Sequence, residues 1–157
     1  SHESLPVVNT TLKELRKTDF VVFEKLANIP WAMTAHITYT AIDEENPATL
    51  SPKVIKIIRD EIGFNGILIS DDLSMKALGG SFKERATNSL KAGCDLVLHC
   101  NGIMEEMSEV VAGTSGVNDN LATRLEKSFS FCSRDKNKAI DIKQAEDSLQ
   151  GQFEKYL

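Results

Sequence analysis

The sequence predicts an α/β protein built on a parallel sheet, and three observations carry that reading. Short apolar segments alternate with amphipathic helical segments in the order strand, helix, strand, helix, strand, helix. The strand segments are nearly continuous in apolar residues, as strands covered on both faces are. Polar residues then gather at the end of each strand: His36 and Tyr39, Ser70 and Asp71, His99 and Asn101. Strands joined through helices run parallel with right-handed crossovers, and the carboxyl edge of such a sheet is where ligands bind.

The elements follow in order. Thr11 with Glu14 three residues on is a capping-box pattern, and Leu12, Leu15, Val22, Phe23 and Leu26 supply the apolar stripe of a first helix that Asn28-Ile29-Pro30 stops. Trp31 to Tyr39 is short, aromatic and β-branched in places, which predicts one strand. The acidic segment Asp43 to Thr49 reads as a solvated loop. Ser51-Pro52 places a capping hydroxyl before a proline in the first turn of a helix carrying Val54, Ile55, Ile58 and Ile62, with Gly63 as its stop. Gly66 to Ser70 is too short for a helix and reads as a buried strand, followed directly by Asp71-Asp72. Ser81 and Glu84 open the next helix, Gly93 closes it, and Asp95 to Cys100 forms the last strand, ended by Asn101-Gly102. Residues 103–112, about 120–130 and 141–156 read as helices, making the part from about 103 to 157 a helical extension. Three strands cannot close a barrel, so the sheet is either small and open or part of something larger.

Composition narrows the function classes. The 157 residues are 41% hydrophobic and 26% charged, which supports a folded core, one domain or a piece of one, and argues against disorder. A net charge of -5 without a basic cluster excludes a nucleic-acid partner, since that affinity rests on Lys and Arg neutralising phosphates. No segment approaches the roughly 20 apolar residues of a membrane span, so no membrane partner is expected. The 3 cysteines, Cys94, Cys100 and Cys132, form no Cys-x-x-Cys pair, so neither a disulfide framework nor a zinc site is indicated and a reducing compartment fits.

The run Gly63-Phe64-Asn65-Gly66-Ile67-Leu68-Ile69-Ser70-Asp71-Asp72-Leu73-Ser74-Met75, followed by Ala92-Gly93-Cys94-Asp95 and Cys100-Asn101, resembles the bacterial β-N-acetylhexosaminidases of glycoside hydrolase family three. Met33-Thr34-Ala35-His36 with Pro47 to Ser51 is similar to the preceding strand and loop, and Ser1-His2 with Leu5-Pro6 to the end of an Asp-Ser-His loop. The resemblance implies a (β/α)8 TIM-type barrel of which this chain supplies the C-terminal part, its last three strands and helices. It also implies that residues 1–157 form a partial catalytic domain.

It further implies roles. Asp71 maps onto the nucleophile, and a carboxylate fixed at a strand end suits attack on an anomeric carbon with a covalent glycosyl intermediate. His2 maps onto a loop His acting as acid/base, whose partner Asp would precede Ser1; imidazole titrates near neutrality and so can give and then take a proton. His36 and Met75 fall where the substrate-binding wall should lie. Asp72 reads as structural. The implied reaction is retaining, exo-acting hydrolysis of β-linked N-acetylglucosamine from peptidoglycan-derived muropeptides in the cytoplasm, with a saccharide as partner and no cofactor or metal. Little turnover is expected from these residues alone. Two other readings stay open: a receiver-like phospho-acceptor domain, which the acidic pair suggests but which lacks a Lys after the last strand, and a non-catalytic sugar-binding or partner-binding scaffold.

Overall fold

A computed structural model describes residues 4–134, together with Lys143 and Glu146. His2 and the helix expected over 141–156 fall outside the described residues. The elements are β1 (Val7–Val8), α1 (Leu12–Leu15), α2 (Asp19–Lys25), β2 (Trp31–Met33), β3 (Thr38–Tyr39), a 3-10 turn at Ala48–Leu50, α3 (Pro52–Asp60), β4 (Ile67–Asp72), α4 (Phe82–Ala92), β5 (Leu96–Leu98), α5 (Met104–Ala112) and α6 (Asp119–Arg134). The main sheet is parallel with order β2-β4-β5, so the strand bearing Asp71 is central. Trp31, Ala32 and Met33 pair with Ile67, Leu68 and Ile69.

The expected helices form where caps and stops define them. The Ser51 hydroxyl accepts the Val54 amide ahead of α3, and Ser81 and Glu84 complete a reciprocal capping box ahead of α4. Gly93 ends α4 at φ 117, a left-handed conformation that side chains disfavour. Gly66 is required for another reason. A Cβ there would lie 2.6 Å from the Pro30 carbonyl oxygen, where the start of β4 passes the start of β2. One core cluster, Ile55, Phe64, Leu68, Ala92 and Cys94, packs α3 and α4 onto the sheet; a second, Leu73, Leu78, Ala86 and Val110, joins α4 to α5 beneath the loop after β4.

Two of the expected elements divide. The strand expected over 31–39 divides, because after Met33 the chain bends to send Thr34 and His36 inward. It then pairs Thr38 and Tyr39 with Val7 and Val8 in a separate two-stranded parallel sheet. The single first helix also divides, at Arg16–Thr18: the Thr18 hydroxyl bonds back to the Glu14 carbonyl at 3.0 Å, and Arg16 turns outward to a bidentate pair with Glu61. That break rotates the stripe, so Leu15 and Phe20 are buried while Val22, Phe23 and Leu26 are exposed.

At the amino edge of the sheet, Asp95 receives Arg59 from α3, Arg124 from α6 and the Leu68 amide of β4. One carboxylate thus ties two helices to the strand carrying the site. Asp95→Ala leaves two guanidinium groups and an amide without this partner, so urea unfolding is expected to show a loss of about 3 kcal/mol.

The acidic loop is anchored, against the expectation of solvation. Asp43 is 3% exposed and accepts the Ser51 hydroxyl at 2.7 Å along with the Glu45 and Asn46 amides. Burial pushes its carboxyl up, but these hydrogen bonds outweigh burial and hold it below the usual carboxylate range. Because the folded value is depressed, the carboxylate adds stability above the unfolded value of about 3.9 and loses it as pH falls through the folded value. Asp43→Asn is expected to flatten the acid limb of the stability profile below about pH 4 while lowering stability at neutrality, read by urea midpoints across pH.

Candidate active site

The carboxyl end of β4 departs from regular pairing. Ile69 pairs with Leu96 but Asp72 with Leu98, so β4 carries one residue more than β5 over this stretch. Such a bulge re-aims side chains and leaves a ladder group unmatched. Here the fully buried Ser70 hydroxyl accepts the Leu98 amide at 2.9 Å, a side-chain bond across the irregular stretch. That hydroxyl gives the bulge a hydrogen bond that ties β4 to β5 from a side chain.

Asp71 sits half-buried on this bulge, and its Oδ1 accepts the Asp72 amide at 2.8 Å. No hydrogen bond among the described residues reaches Oδ2. Asp72 is bound on every side: its Oδ1 accepts the amides of Ser74 at 2.9 Å and Cys100 at 3.1 Å, and its Oδ2 accepts the Ser74 hydroxyl at 2.5 Å. Burial raises its carboxyl, yet these donors prevail, helped by nearby His99, and hold it below the usual range. Asp72 is therefore a knot between the β4 and β5 loops, while Asp71 keeps one oxygen uncommitted.

His36 is fully buried. Its Nε2 lies 2.9 Å from the Asp72 carbonyl oxygen and its Nδ1 2.9 Å from the Thr49 hydroxyl, which in turn lies 2.9 Å from that of Thr34. A carbonyl only accepts, so Nε2 carries the hydrogen. Met75 is 8% exposed and its amide donates to the Asp72 carbonyl at 3.2 Å. Arg85 of α4 holds this loop by donating to the carbonyls of Leu73 and Met75. Asp71, His36 and Met75 thus meet around one residue, Asp72.

The end of β5 completes the rim. Cys100 is exposed, and partial desolvation with the Asp72 and Asp71 carboxylates pushes its thiol up, which places both acids beside it. Cys94 is buried under Thr49 and pushed up to about 12 by desolvation, an inert core thiol. Asn101 accepts the Ile103 amide and donates to Glu106, the work of a turn residue. His99 is directed between α4 and α5, edge-on to Phe82 and 3.3 Å from Glu106. Among the described residues no group of three or more His, Cys, Asp or Glu side chains is placed to hold a metal ion. An apolar cleft of about 310 Å³ lies between α2, β2 and α3, and its lining does not include Asp71.

The bulge and Ser70 were not visible in the sequence, where no glycine marks the extra residue. The signal available was the switch from apolar residues to Ser70-Asp71-Asp72 inside one strand. Ser70→Ala removes a hydroxyl acceptor from the half-buried Leu98 amide. It is expected to cost about 1–3 kcal/mol and to speed exchange of the Leu98 amide more than that of amides elsewhere in β5, as measured by hydrogen exchange.

The sequence and the fold have known counterparts. The beta-hexosaminidase of Tolumonas auensis is 37% identical over 136 residues, an alignment covering 83% of this chain and 39% of that protein. The crystal structure of NagZ from Neisseria gonorrhoeae in complex with N-trifluoroacetyl-D-glucosamine superposes with a TM-score of 0.70 at 35% identity, over 82% of this chain and 37% of that one. A glycoside hydrolase family 3 beta-N-acetylglucosaminidase from Paenibacillus sp. gives a TM-score of 0.69 at 25% identity, over 89% of this chain and 30% of that one. The chain spans little more than a third of the length of the curated relative. Residues 1–128 match the glycosyl hydrolase family 3 N-terminal domain, and on that match, together with the parallel α/β fold and the acidic bulge at its centre, the chain belongs to glycoside hydrolase family 3.

Proposed function

We propose that this chain is the nucleophile-bearing, C-terminal part of a (β/α)8 barrel that hydrolyses terminal β-linked N-acetylglucosamine with retention. Residues 1–157 are then a partial catalytic domain, helical from about residue 103. The observation that carries the reading is the state of Asp71: half-buried at the carboxyl end of the central strand, one oxygen fixed by the next amide and the other without a hydrogen-bond partner among the described residues. A nucleophilic carboxylate needs that arrangement, because a fixed oxygen sets direction while an uncommitted one forms the bond.

In this reading Asp71 Oδ2 attacks the anomeric carbon, the glycosidic bond breaks, and the departing oxygen takes a proton from the His2 imidazolium. Water then attacks the same carbon, gives a proton to His2, and releases Asp71 as carboxylate. We place His36 and Met75 in the wall behind the nucleophile. Muropeptides carrying terminal N-acetylglucosamine are the proposed substrates and the cytoplasm the proposed place of action, on the family resemblance. Family membership leaves the receiver-like reading without support.

On this reading the barrel strands that would complete the sugar pocket lie outside these 157 residues, which span 39% of the Tolumonas auensis relative. The purified chain is therefore expected to release no aryl alcohol from an aryl N-acetyl-β-glucosaminide above the Asp71→Ala control; turnover that Asp71→Ala abolishes would overturn the proposed incompleteness. With the rest of the barrel present, Asp71→Ala is expected to lower kcat by about 10⁴-fold or more. Mass spectrometry after exposure to 5-fluoro-N-acetylglucosaminyl fluoride should find the sugar on the peptide containing Asp71. Full activity in Asp71→Ala, or a label elsewhere, refutes the nucleophile assignment.

A further inference from the structure

His36 has no exposed surface, and its two ring nitrogens are both engaged inside the protein. It lies outside β2 and β4, yet it bonds across to the backbone of β4's last residue. A buried imidazole satisfied at both nitrogens cannot also bind a ligand without giving up a partner. Its value must lie in what it holds.

What it holds is the peptide group after Asp72. The carbonyl of that group accepts His36 Nε2 at 2.9 Å, and its amide, on Leu73, donates to the Leu98 carbonyl at 2.8 Å. One peptide plane is thereby braced from the β2 side and the β5 side of the bulge. The amide on the other side of Asp72 is the donor that fixes Asp71 Oδ1. Rotation of Asp72 would carry that donor away from Asp71, and a bulge lacks the regular ladder that would resist such rotation. His36 is itself fixed by the hydroxyl of Thr49 in the 3-10 turn, which is held in turn by the hydroxyl of Thr34, the residue after β2. Rigid elements therefore support the brace, as an aligned reacting group requires.

We propose that His36 is a positioning residue for Asp71: it fixes the direction of the carboxylate by holding the Asp72 backbone and does not touch the sugar. The inference rests on the nucleophile reading of Asp71 and adds the part that aims it.

Two substitutions separate this role from simple core filling. The amide nitrogen of Gln reaches the position of Nε2, so His36→Gln keeps a donor for the Asp72 carbonyl. The shorter Asn reaches only the position of Nδ1, so His36→Asn keeps Thr49 and loses Asp72. Both variants disturb the core, but only Asn releases the brace. The test is NMR on the whole chain, reading exchange of the Asp72 amide and the Asp71 carboxyl carbon resonance, with urea midpoints for overall stability. Relative to amides in α4, the Asp72 amide is expected to exchange about tenfold or more faster in His36→Asn and within about threefold of wild type in His36→Gln. The Asp71 resonance should move in the Asn variant alone. If the two variants give the same Asp72 exchange and the same Asp71 resonance after correction for stability, the positioning role is wrong. Should His36→Asn fail to fold, Thr49→Val, which frees the ring from its anchor, must reproduce the Asp72 and Asp71 changes or the proposal fails. None of these readouts involves a sugar, so failure of sugar labelling at Asp71 would reject the nucleophile reading separately.

Discussion

The site depends on one extra residue in a strand. Parallel pairing between β4 and β5 supplies matched donors and acceptors up to Ile69 and Leu96, and the bulge beyond them removes that regularity where a carboxylate has to be aimed. Side chains and a neighbouring loop supply hydrogen bonds around the bulge. Ser70 accepts the Leu98 amide, Asp72 gathers the Ser74 and Cys100 amides, and His36 takes the Asp72 carbonyl. A regular strand would need none of these residues, and without them the irregular one would carry buried polar groups at a cost of about 1–3 kcal/mol each.

The two edges of the sheet divide the labour. At the amino edge, the carboxylate of Asp95 ties α3 and α6 to β4 and serves stability. At the carboxyl edge the neighbours Asp71 and Asp72 use their oxygens in opposite ways. Asp72 spends both oxygens on protein donors, whereas Asp71 spends one. Chemical identity does not distinguish them; the register of the bulge does.

Most of the framework was legible in the sequence because its signals are local. Ser51-Pro52, the Ser81 and Glu84 pair, and the stops at Gly63 and Gly93 act within one turn of helix, and the apolar run ending at Ser70 can only be a buried strand. What the sequence left hidden depends on partners distant along the chain. The β1 strand is two residues long and exists through pairing with Thr38 and Tyr39. Asp43 looked like a solvated loop acid because its main partner, Ser51, is recognisable only as a helix cap. The identity of Asp71 as a candidate came from the motif around it, while the state of its second oxygen, the Ser70 hydrogen bond and the reach of His36 required coordinates.

The β2 strand pairs with β4 on one side, and among the described residues nothing pairs with its other side, while Trp31 and Met33 remain 38% and 54% exposed. Unmatched main-chain donors and acceptors beside apolar side chains form a template for cross-pairing between molecules. Left uncovered, this seam is a place where a neighbouring copy could add a strand, so whatever covers it also guards against such adhesion.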